Sequence, residues 1–222
     1  MKIIDLKISK DLKMRCPYAR LGVVQAKVKY QKESVCLWEK INKEIKNISN
    51  YLSLGQIAEI PVIKDTRNAY LAMGKEPARY RCSAEALLRR IVNGKGLYKI
   101  NSIVDIINFI SLSSHFSIGC YDYNTLFTPV IFDIGRASEK YNTIGRGEMN
   151  IEDLPVFRDG LGAFGSPTSD SSRTRITINT REIVAVIIDF SGTGSLIEAM
   201  NMTVDYLKEY GGATQTVDNI VK

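Results

Sequence analysis

Three polar residues, Asn101, Asp105 and Asn108, recur at steps of four and three inside a segment that otherwise consists largely of isoleucine, valine and phenylalanine. This spacing places their side chains on one face of a helix. A buried amide or carboxylate needs a hydrogen-bonding partner, so this face either bonds to a neighbouring loop or lines a ligand pocket. Structural use is the more frequent outcome, but both alternatives stay open at this point.

A second concentration of polar groups runs from Ser169 to Thr174 and includes Asp170 and Arg173. It precedes a run with strand character at residues 175–178, and its hydroxyl, carboxylate and guanidinium groups could hold a polar ligand at the strand end. The same composition is typical of a loop closed by Asx and serine turns. The residues alone do not distinguish a site from a loop.

A third cluster is basic and is opposed within its own segment only by Glu85. Its six cations lie within 21 residues and are interleaved with Tyr80 and Tyr98: Arg79, Arg81, Arg89, Arg90, Lys95 and Lys99. Guanidinium groups can fork onto phosphates and aromatic rings can stack on bases, so this segment is the RNA-binding candidate. The alternative is a solvated helix face.

The net charge is unevenly distributed along the chain. The first 100 residues hold 21 Lys or Arg against 9 Asp or Glu, a net charge of +12, whereas residues 101–222 hold 9 against 15, a net charge of −6. A basic N-terminal half can attract a polyanion, because binding releases the counterions condensed on the polyanion. Two oppositely charged faces could also serve only solubility or hold the two halves together.

Composition excludes several kinds of site. The single histidine, His115, excludes any site that needs two imidazoles, and four cysteines without a CxxC pair exclude a zinc knuckle and a redox dithiol. We therefore expect no metal and no cofactor. The GxGxxG of residues 160–165 is followed by loop-forming residues and not by a helix, which argues against a dinucleotide site. Gly192, Gly194 and Ser195 could hold an anion, but they are more typical of a tight turn with a serine cap.

Hydropathy argues against a membrane location. The longest wholly apolar run, residues 183–188, falls far short of the ~20 residues that a membrane helix needs. Charges interrupt the first twenty residues, which leaves no apolar core of a signal peptide. We expect a cytoplasmic protein without a membrane partner.

Helices in the middle of the chain with strands on both sides predict an α+β fold with mixed β-sheets and packed helices. Helices are predicted over residues 38–52, around 66–73, after Ser83 as N-cap, over 100–110, and from near Ser195 to 210. Strands are predicted at residues 3–9, 21–30, 130–134, 154–157, 175–178 and 183–190, the last buried on both faces. We divide the chain into N-terminal strands and a helix integral to the fold (1–60), a core (61–212) and a polar tail (213–222).

Several separated segments resemble one known family. The runs YRCSAEALLRRI (80–91), INSIVDIINFISL (100–112) and IGCYD (118–122) are similar to the B3/4 domain of the bacterial phenylalanyl-tRNA synthetase beta subunit. Residues 67–90 and 174–184 resemble free-standing proteins made of that domain alone, and the likeness covers about residues 60–190. It implies an α+β fold and a pocket that, in the synthetase, hydrolyses tyrosine wrongly esterified to phenylalanine tRNA. An editing site that forms a hydrogen bond with the extra hydroxyl of tyrosine can select the wrong ester for hydrolysis.

The resemblance also indicates which helix would border the pocket and shows two places where this chain departs from the family's motifs. The family's Ile-Asn-Asn-Val-Val-Asp-x-x-Asn helix corresponds to residues 100–108, so the polar members of this helix would border the pocket. Where the synthetases carry His-Ala-Phe-Asp, this chain has Gly119, Cys120, Tyr121 and Asp122. Where they carry Gly-Gly-Glu, it has Gly165, Ser166 and Pro167. Both editing side chains of the family are absent.

The leading hypothesis is a protein that binds tRNA or an aminoacyl ester; trans-editing hydrolysis of mischarged tRNA would make it an aminoacyl-tRNA deacylase, not a complete synthetase. Asp122 and Asp170 are the catalytic candidates. The predicted substrate pocket comprises Asn101, Ser102, Asp105, Asn108, Tyr121, Asp122, Arg173 and Thr174. The rival hypothesis is a non-catalytic binding module for an amino acid or a related small metabolite.

Overall fold

A computed structural model of the protein describes residues 1, 3–145, 147–192 and 195–222. Within these residues helices and strands alternate irregularly, and the predicted α+β architecture is confirmed. Their order is β1 (Leu6–Ile8), α1 (Lys10–Arg15), β2 (Arg20–Lys27), α2 (Val35–Tyr51), α3 (Pro61–Ala72), α4 (Ser83–Val92), α5 (Ser102–Ser114), β3 (Ser117–Asp122), β4 (Val130–Ile134), β5 (Lys140–Thr143), β6 (Gly147–Asn150), β7 (Pro155–Asp159), β8 (Gly162–Gly165), β9 (Glu182–Asp189), α6 (Leu196–Tyr210) and β10 (Gln215–Val221). Short 3₁₀ helices occupy Ile57–Glu59, Tyr123–Thr125 and Ser172–Thr174.

The centre of the fold is a four-stranded antiparallel sheet in the order β10-β2-β9-β3. Its strand β9 is buried on both faces, as the unbroken apolar run predicts. Ile183, Ala185 and Ile187 face a layer formed by α2, α5 and α6, whereas Val184 and Val186 face the second sheet. The period of two along a strand therefore serves two cores at once.

The second sheet has the order β1-β4-β7-β8, and β1 runs parallel to β4 while the other pairs are antiparallel. The hairpin of β5 and β6 lies outside both sheets. It is bridged to the segment before β9 through Thr143 and Ser171. This bridge brings the hairpin against the polar segment 169–174.

The predicted helices are present, with shifted ends. Helix α2 begins after Ser34, whose hydroxyl accepts a hydrogen bond from the amide of Leu37 and so caps the first turn. Ser83 is the first residue of α4 and not its N-cap, because Cys82 holds the cap position with extended backbone angles. Helix α1 and the strands β3, β5, β6 and β8 were not predicted.

Two further sequence predictions of secondary structure are wrong. Residues 213–222 are not a polar tail: Gln215–Val221 form an edge strand paired with β2 from Lys27 to Leu21. An edge strand needs only its backbone groups for the ladder, so polar side chains do not prevent it. Residues 175–178 are irregular and not a strand, since β-favouring residues form a strand only where a partner strand is available.

The described part of the chain contains no helix that combines the length and apolar character required to cross a membrane. Of the turn residues 192–195, Thr193 and Gly194 lie outside the described residues.

Candidate functional site

The polar face of α5 is used largely for structure. Asn101 is the N-cap of this helix, and its side-chain oxygen accepts a hydrogen bond of 3.0 Å from the amide of Val104. Asp105 accepts hydrogen bonds from the indole Nε1 of Trp38 at 2.8 Å and from the amide of Ile100 at 3.0 Å. Both polar residues are buried. Asn101 therefore caps α5 and Asp105 fixes it against α2, and neither is among the residues that line the two cavities described below.

Burial raises the pKa of the Asp105 carboxyl, and the hydrogen bonds from Ile100 and Trp38 partly oppose that rise. Ser102, the next predicted pocket residue, is fully buried beside Asn101. Its amide donates to the carbonyl of Gln31 at 3.0 Å, and its hydroxyl has no partner among the described residues. Ser102 thus fixes the start of α5 to the segment after β2.

Asp122, one of the two catalytic candidates, has both carboxylate oxygens engaged. Oδ1 accepts from the amide of Asn124 at 3.0 Å, and Oδ2 accepts from the Thr180 hydroxyl at 2.6 Å. The first bond caps the 3₁₀ helix Tyr123–Thr125, and the second fixes the end of β3 to the loop before β9. These two bonds give the buried carboxylate of Asp122 a structural role.

Arg173 is bonded within the fold, and Thr174 is enclosed by it. The guanidinium of Arg173 donates to both oxygens of Asp159, at 3.1 and 2.9 Å, and to the carbonyl of Thr125 at 3.1 Å. It also lies 5.3 Å from the ring centroid of Phe164. Thr174 is fully buried. The structure therefore places Arg173 against the end of β7, whereas the Thr174 hydroxyl is buried without a hydrogen-bond partner among the described residues.

A small cavity lies between α5, β3 and the segment after Asp170, and we call it the α5 cavity. Its volume is about 110 Å³, and its polar lining consists of Asn108, Cys120, Asp170 and Arg175. Aliphatic side chains of α5, β3 and the β5–β6 hairpin, together with Ile176, form the rest of its wall. Of the predicted pocket residues and catalytic candidates, only Asn108 and Asp170 belong to this lining. Arg175 was missed because the residue was assigned to a strand.

Asp170 has the most unusual chemistry in this lining. Its Oδ1 accepts a hydrogen bond of 2.9 Å from the hydroxyl of Tyr121. One side of Asp170 faces the cavity, and protein atoms surround the carboxyl on its other sides. Because this burial removes water from the carboxyl and disfavours its charged form, it raises the pKa of Asp170 to about 7. The hydrogen bond from Tyr121 acts in the opposite direction and lowers the pKa. A carboxyl of this pKa can accept or release a proton near neutral pH.

Tyr121 fills the space beside two glycines. Its ring is buried, with centroid distances of 5.8 Å to Phe157 and 4.9 Å to Phe164. A Cβ atom added at Gly119 or at Gly165 would collide with the Tyr121 hydroxyl. These glycines lie in the two segments that the resemblance aligns with the family's histidine and glutamate motifs. In this chain, a phenol ring occupies the adjoining space.

The basic segment divides into two groups in space. Arg79, Arg81 and Arg89 line one cavity of about 190 Å³ together with Ala86 and Thr168, and we call it the arginine cavity.

The other three cations lie at the far end of α4 and in the loop that follows. Arg90 lies 3.8 Å from the ring centroid of Tyr98 and donates to the carbonyl of Lys95, while Lys99 pairs with Glu33. Only half of the predicted RNA-binding set therefore meets at one place.

Glu85 organises the arginine cavity, a role that the sequence analysis missed. Its side chain is fully buried, and its carboxylate contacts Arg67 at 3.0 Å, Arg89 at 2.8 Å and Arg81 at 3.9 Å. The spacing of Glu85 and Arg89 at i and i+4 is a readable signal for such a contact on one face of α4, whereas Arg81 lies just before this helix. Arg67 carries no such signal, because it comes from α3.

The two cavities share one segment of chain. Thr168 lines the arginine cavity and Asp170 lines the α5 cavity. Two residues of extended chain span at most about 7 Å, so the loop after β8 forms a common wall. The described residues contain no group of three His, Cys, Asp or Glu side chains that could hold a metal ion.

Comparison with known proteins gives consistent relatives. The family model described as B3/4 domain matches residues 65–212. The phenylalanine–tRNA ligase beta subunit of Clostridium tetani is 24% identical over 161 residues, which is 69% of this chain and 20% of that protein. The crystal structure of an N-terminal fragment of the phenylalanyl-tRNA synthetase beta subunit from Pyrococcus horikoshii matches with a TM-score of 0.50 and 14% identity, over 100% of this chain and 55% of that one. The chain thus spans about a fifth of the curated relative, and the structural match supports the fold.

Proposed function

The chain belongs to the B3/4 domain family, and from this membership we propose that it binds the aminoacyl end of a tRNA and hydrolyses the ester of a wrongly attached amino acid. The relatives named above are subunits of tRNA ligases, which supports an aminoacyl ester as the substrate class. The observation that carries the proposal is Asp170, a carboxyl with a pKa of about 7 at the wall of a small cavity.

In the proposed reaction, Asp170 accepts a proton from a water molecule as that water attacks the ester carbonyl. The bond between the carbonyl carbon and the ribose oxygen breaks, the amino acid leaves with a free carboxyl group, and the tRNA oxygen takes up a proton. The reaction consumes one water and needs no metal or redox partner. Asp122 takes no part in this scheme, because its two oxygens are bonded to Asn124 and Thr180.

The α5 cavity limits which amino acid the reaction can take. Its volume of about 110 Å³ is smaller than the ~150 Å³ of an apolar cavity that holds benzene. The space beside Gly119 and Gly165 is already filled by the ring of Tyr121. We therefore expect esters of small, mainly aliphatic amino acids to react and tyrosyl esters not to react.

The test is a deacylation assay with tRNAs that carry alanine, serine, valine, isoleucine, phenylalanine or tyrosine. We expect hydrolysis above background for esters of the small amino acids and background rates for the tyrosyl ester. The rate of hydrolysis should rise as the pH increases through about 7, because Asp170 acts as a base in its ionised form. Asp170→Asn should lower the rate by about 10²-fold or more, as expected for loss of a general base. The matched control is Asp205→Asn, an exposed carboxylate on α6. Background rates for every ester would refute the enzymatic function.

The rival function is non-catalytic binding of a small amino acid. It is favoured by one observation, that Asp170 and Arg175 bring opposite charges to the same small cavity. Such a pair matches the amine and carboxylate of a free amino acid. In this case millimolar free amino acid should raise the melting temperature, and the protein should show no salt-dependent affinity for tRNA.

A further inference from the structure

One arginine of the arginine cavity, Arg89, is held in place before any ligand arrives. Arg67 donates from Nη1 to both oxygens of Glu85, at 3.2 and 3.0 Å, and Arg89 donates from Nε to Oε1 at 2.8 Å. Glu85 itself has no exposed side-chain surface. A buried carboxylate between two guanidinium groups fixes the direction of both, so less side-chain entropy is lost when an anion binds.

The charges around this cavity do not balance. Glu85 supplies one negative charge against Arg67, Arg81 and Arg89, and Arg79 lines the same cavity with a further positive charge. The excess positive charge favours an external anion, which would be held in a recess and not on an open surface.

Hydrogen-bond donors remain available for such an anion. Arg89 uses only its Nε for Glu85, and Arg81 approaches Glu85 no closer than 3.9 Å. Within the described residues the terminal nitrogens of Arg81 and Arg89, and the guanidinium of Arg79, make no other hydrogen bond. Guanidinium groups in this state prefer oxyanions that can accept two parallel bonds, above all phosphates.

The size and wall of the cavity suit one phosphate group. A volume of about 190 Å³ corresponds to about six water molecules, which is enough for a phosphate and a few waters. The wall opposite the helix is fixed, because the Thr168 hydroxyl bonds to the hydroxyl of Tyr70 at 2.9 Å and to the carbonyl of Tyr80 at 3.2 Å. The same loop continues to Asp170 and the α5 cavity.

We propose that the arginine cavity is a binding site for a single backbone phosphate of the RNA whose aminoacyl end enters the α5 cavity. This inference rests on the proposed function, since it assigns the RNA-holding part of the same site. Arg79, Arg81 and Arg89 bind the phosphate, and Glu85 with Arg67 positions Arg89. The remaining cations of the basic segment are outside this site.

The test measures binding of fluorescently labelled tRNA that carries no amino acid, at several salt concentrations. The double variant Arg79→Gln/Arg81→Gln removes two phosphate donors and retains both close partners of Glu85, so the fold should survive. The control, Lys43→Gln/Lys46→Gln, removes the same charge from exposed positions of α2. We expect the arginine variant to bind at least about 10-fold more weakly, with the slope of log affinity against log salt reduced by about 1. The control should change affinity less than about 3-fold.

Equal losses in the arginine and lysine variants would overturn the proposal, because they would show only a general attraction to positive charge. A second arm uses inorganic phosphate and the melting temperature. Stabilisation by phosphate that the arginine variant lacks, together with unchanged tRNA affinity, would assign the cavity to a free phosphate and also overturn the proposal. Because this tRNA carries no amino acid, the result is independent of deacylation. RNA binding can depend on the arginines even if no ester is hydrolysed, and esters can be hydrolysed even if RNA binding does not depend on the arginines.

Discussion

Replacing Asp170 by asparagine should change how the stability of the protein depends on pH. The ordinary pKa of this carboxyl is 3.8, and burial raises it to about 7 in the folded protein. Between these two values the folded state binds a proton that the unfolded state has already lost. The free energy of unfolding of the wild type must therefore fall as the pH rises from about 4 to about 7. Below this window both states are protonated, and above it both are ionised.

The size of this effect follows from the shift. About three pKa units correspond to about 4 kcal/mol, at 1.36 kcal/mol per unit. Part of the Asp170 surface faces the cavity, where solvent can screen the charge, so we expect between about 2 and 4 kcal/mol. The asparagine side chain of the variant would carry no charge at any of these pH values. The stability of the wild type minus that of Asp170→Asn should decline by this amount across the window.

The assay is urea unfolding of both proteins at pH values from 4.5 to 8 at constant ionic strength. Every other titrating group is shared by the two chains, so its contribution cancels in the difference. The denaturant slope must stay the same in both proteins for the comparison to hold. Asp205→Asn serves as the control and should run parallel to the wild type. A difference between wild type and Asp170→Asn that is flat with pH, or that rises with pH, would contradict the proposed environment of Asp170.

Three further predictions concern neighbouring contacts. Tyr121→Phe removes the hydroxyl that stabilises the ionised form of Asp170, so the pKa of Asp170 should rise further. In the same unfolding series, the decline in the free energy of unfolding should then extend to higher pH. An unchanged pH midpoint of this decline would refute the role of the hydrogen bond. Glu85→Gln removes the buried carboxylate from between its arginine partners and should cost about 3 kcal/mol in urea unfolding, whereas a loss below about 0.5 kcal/mol would mean that the arginines need no counter-charge. Gly119→Ala places a methyl group against the Tyr121 hydroxyl and should lower the melting temperature by several degrees, as about 1–3 kcal/mol of overpacking would; an unchanged melting temperature would show that the ring moves aside freely.

Local patterns in the sequence predicted most of the helices and the buried strand. The apolar stripe of α2 and the unbroken run of β9 depend on periodicity, which is a property of neighbouring residues. Separated motifs also indicated the family that the family model then matched at residues 65–212. The edge strand β10 was missed, because its ladder depends on the backbone of β2 and not on its own side chains.

Local sequence patterns specify which polar residues share a helix face and where positive charge is concentrated. The partners of those residues follow from the folded arrangement of distant segments. Asp105 bonds to Trp38 across 67 positions, Asp122 to Thr180 across 58, and Tyr121 to Asp170 across 49. Periodicity specifies the direction in which a side chain points but not the segment that packs there, since that depends on long-range contacts. For this reason Asp122 became a structural cap, whereas Asp170 acquired a cavity and a pKa near neutrality.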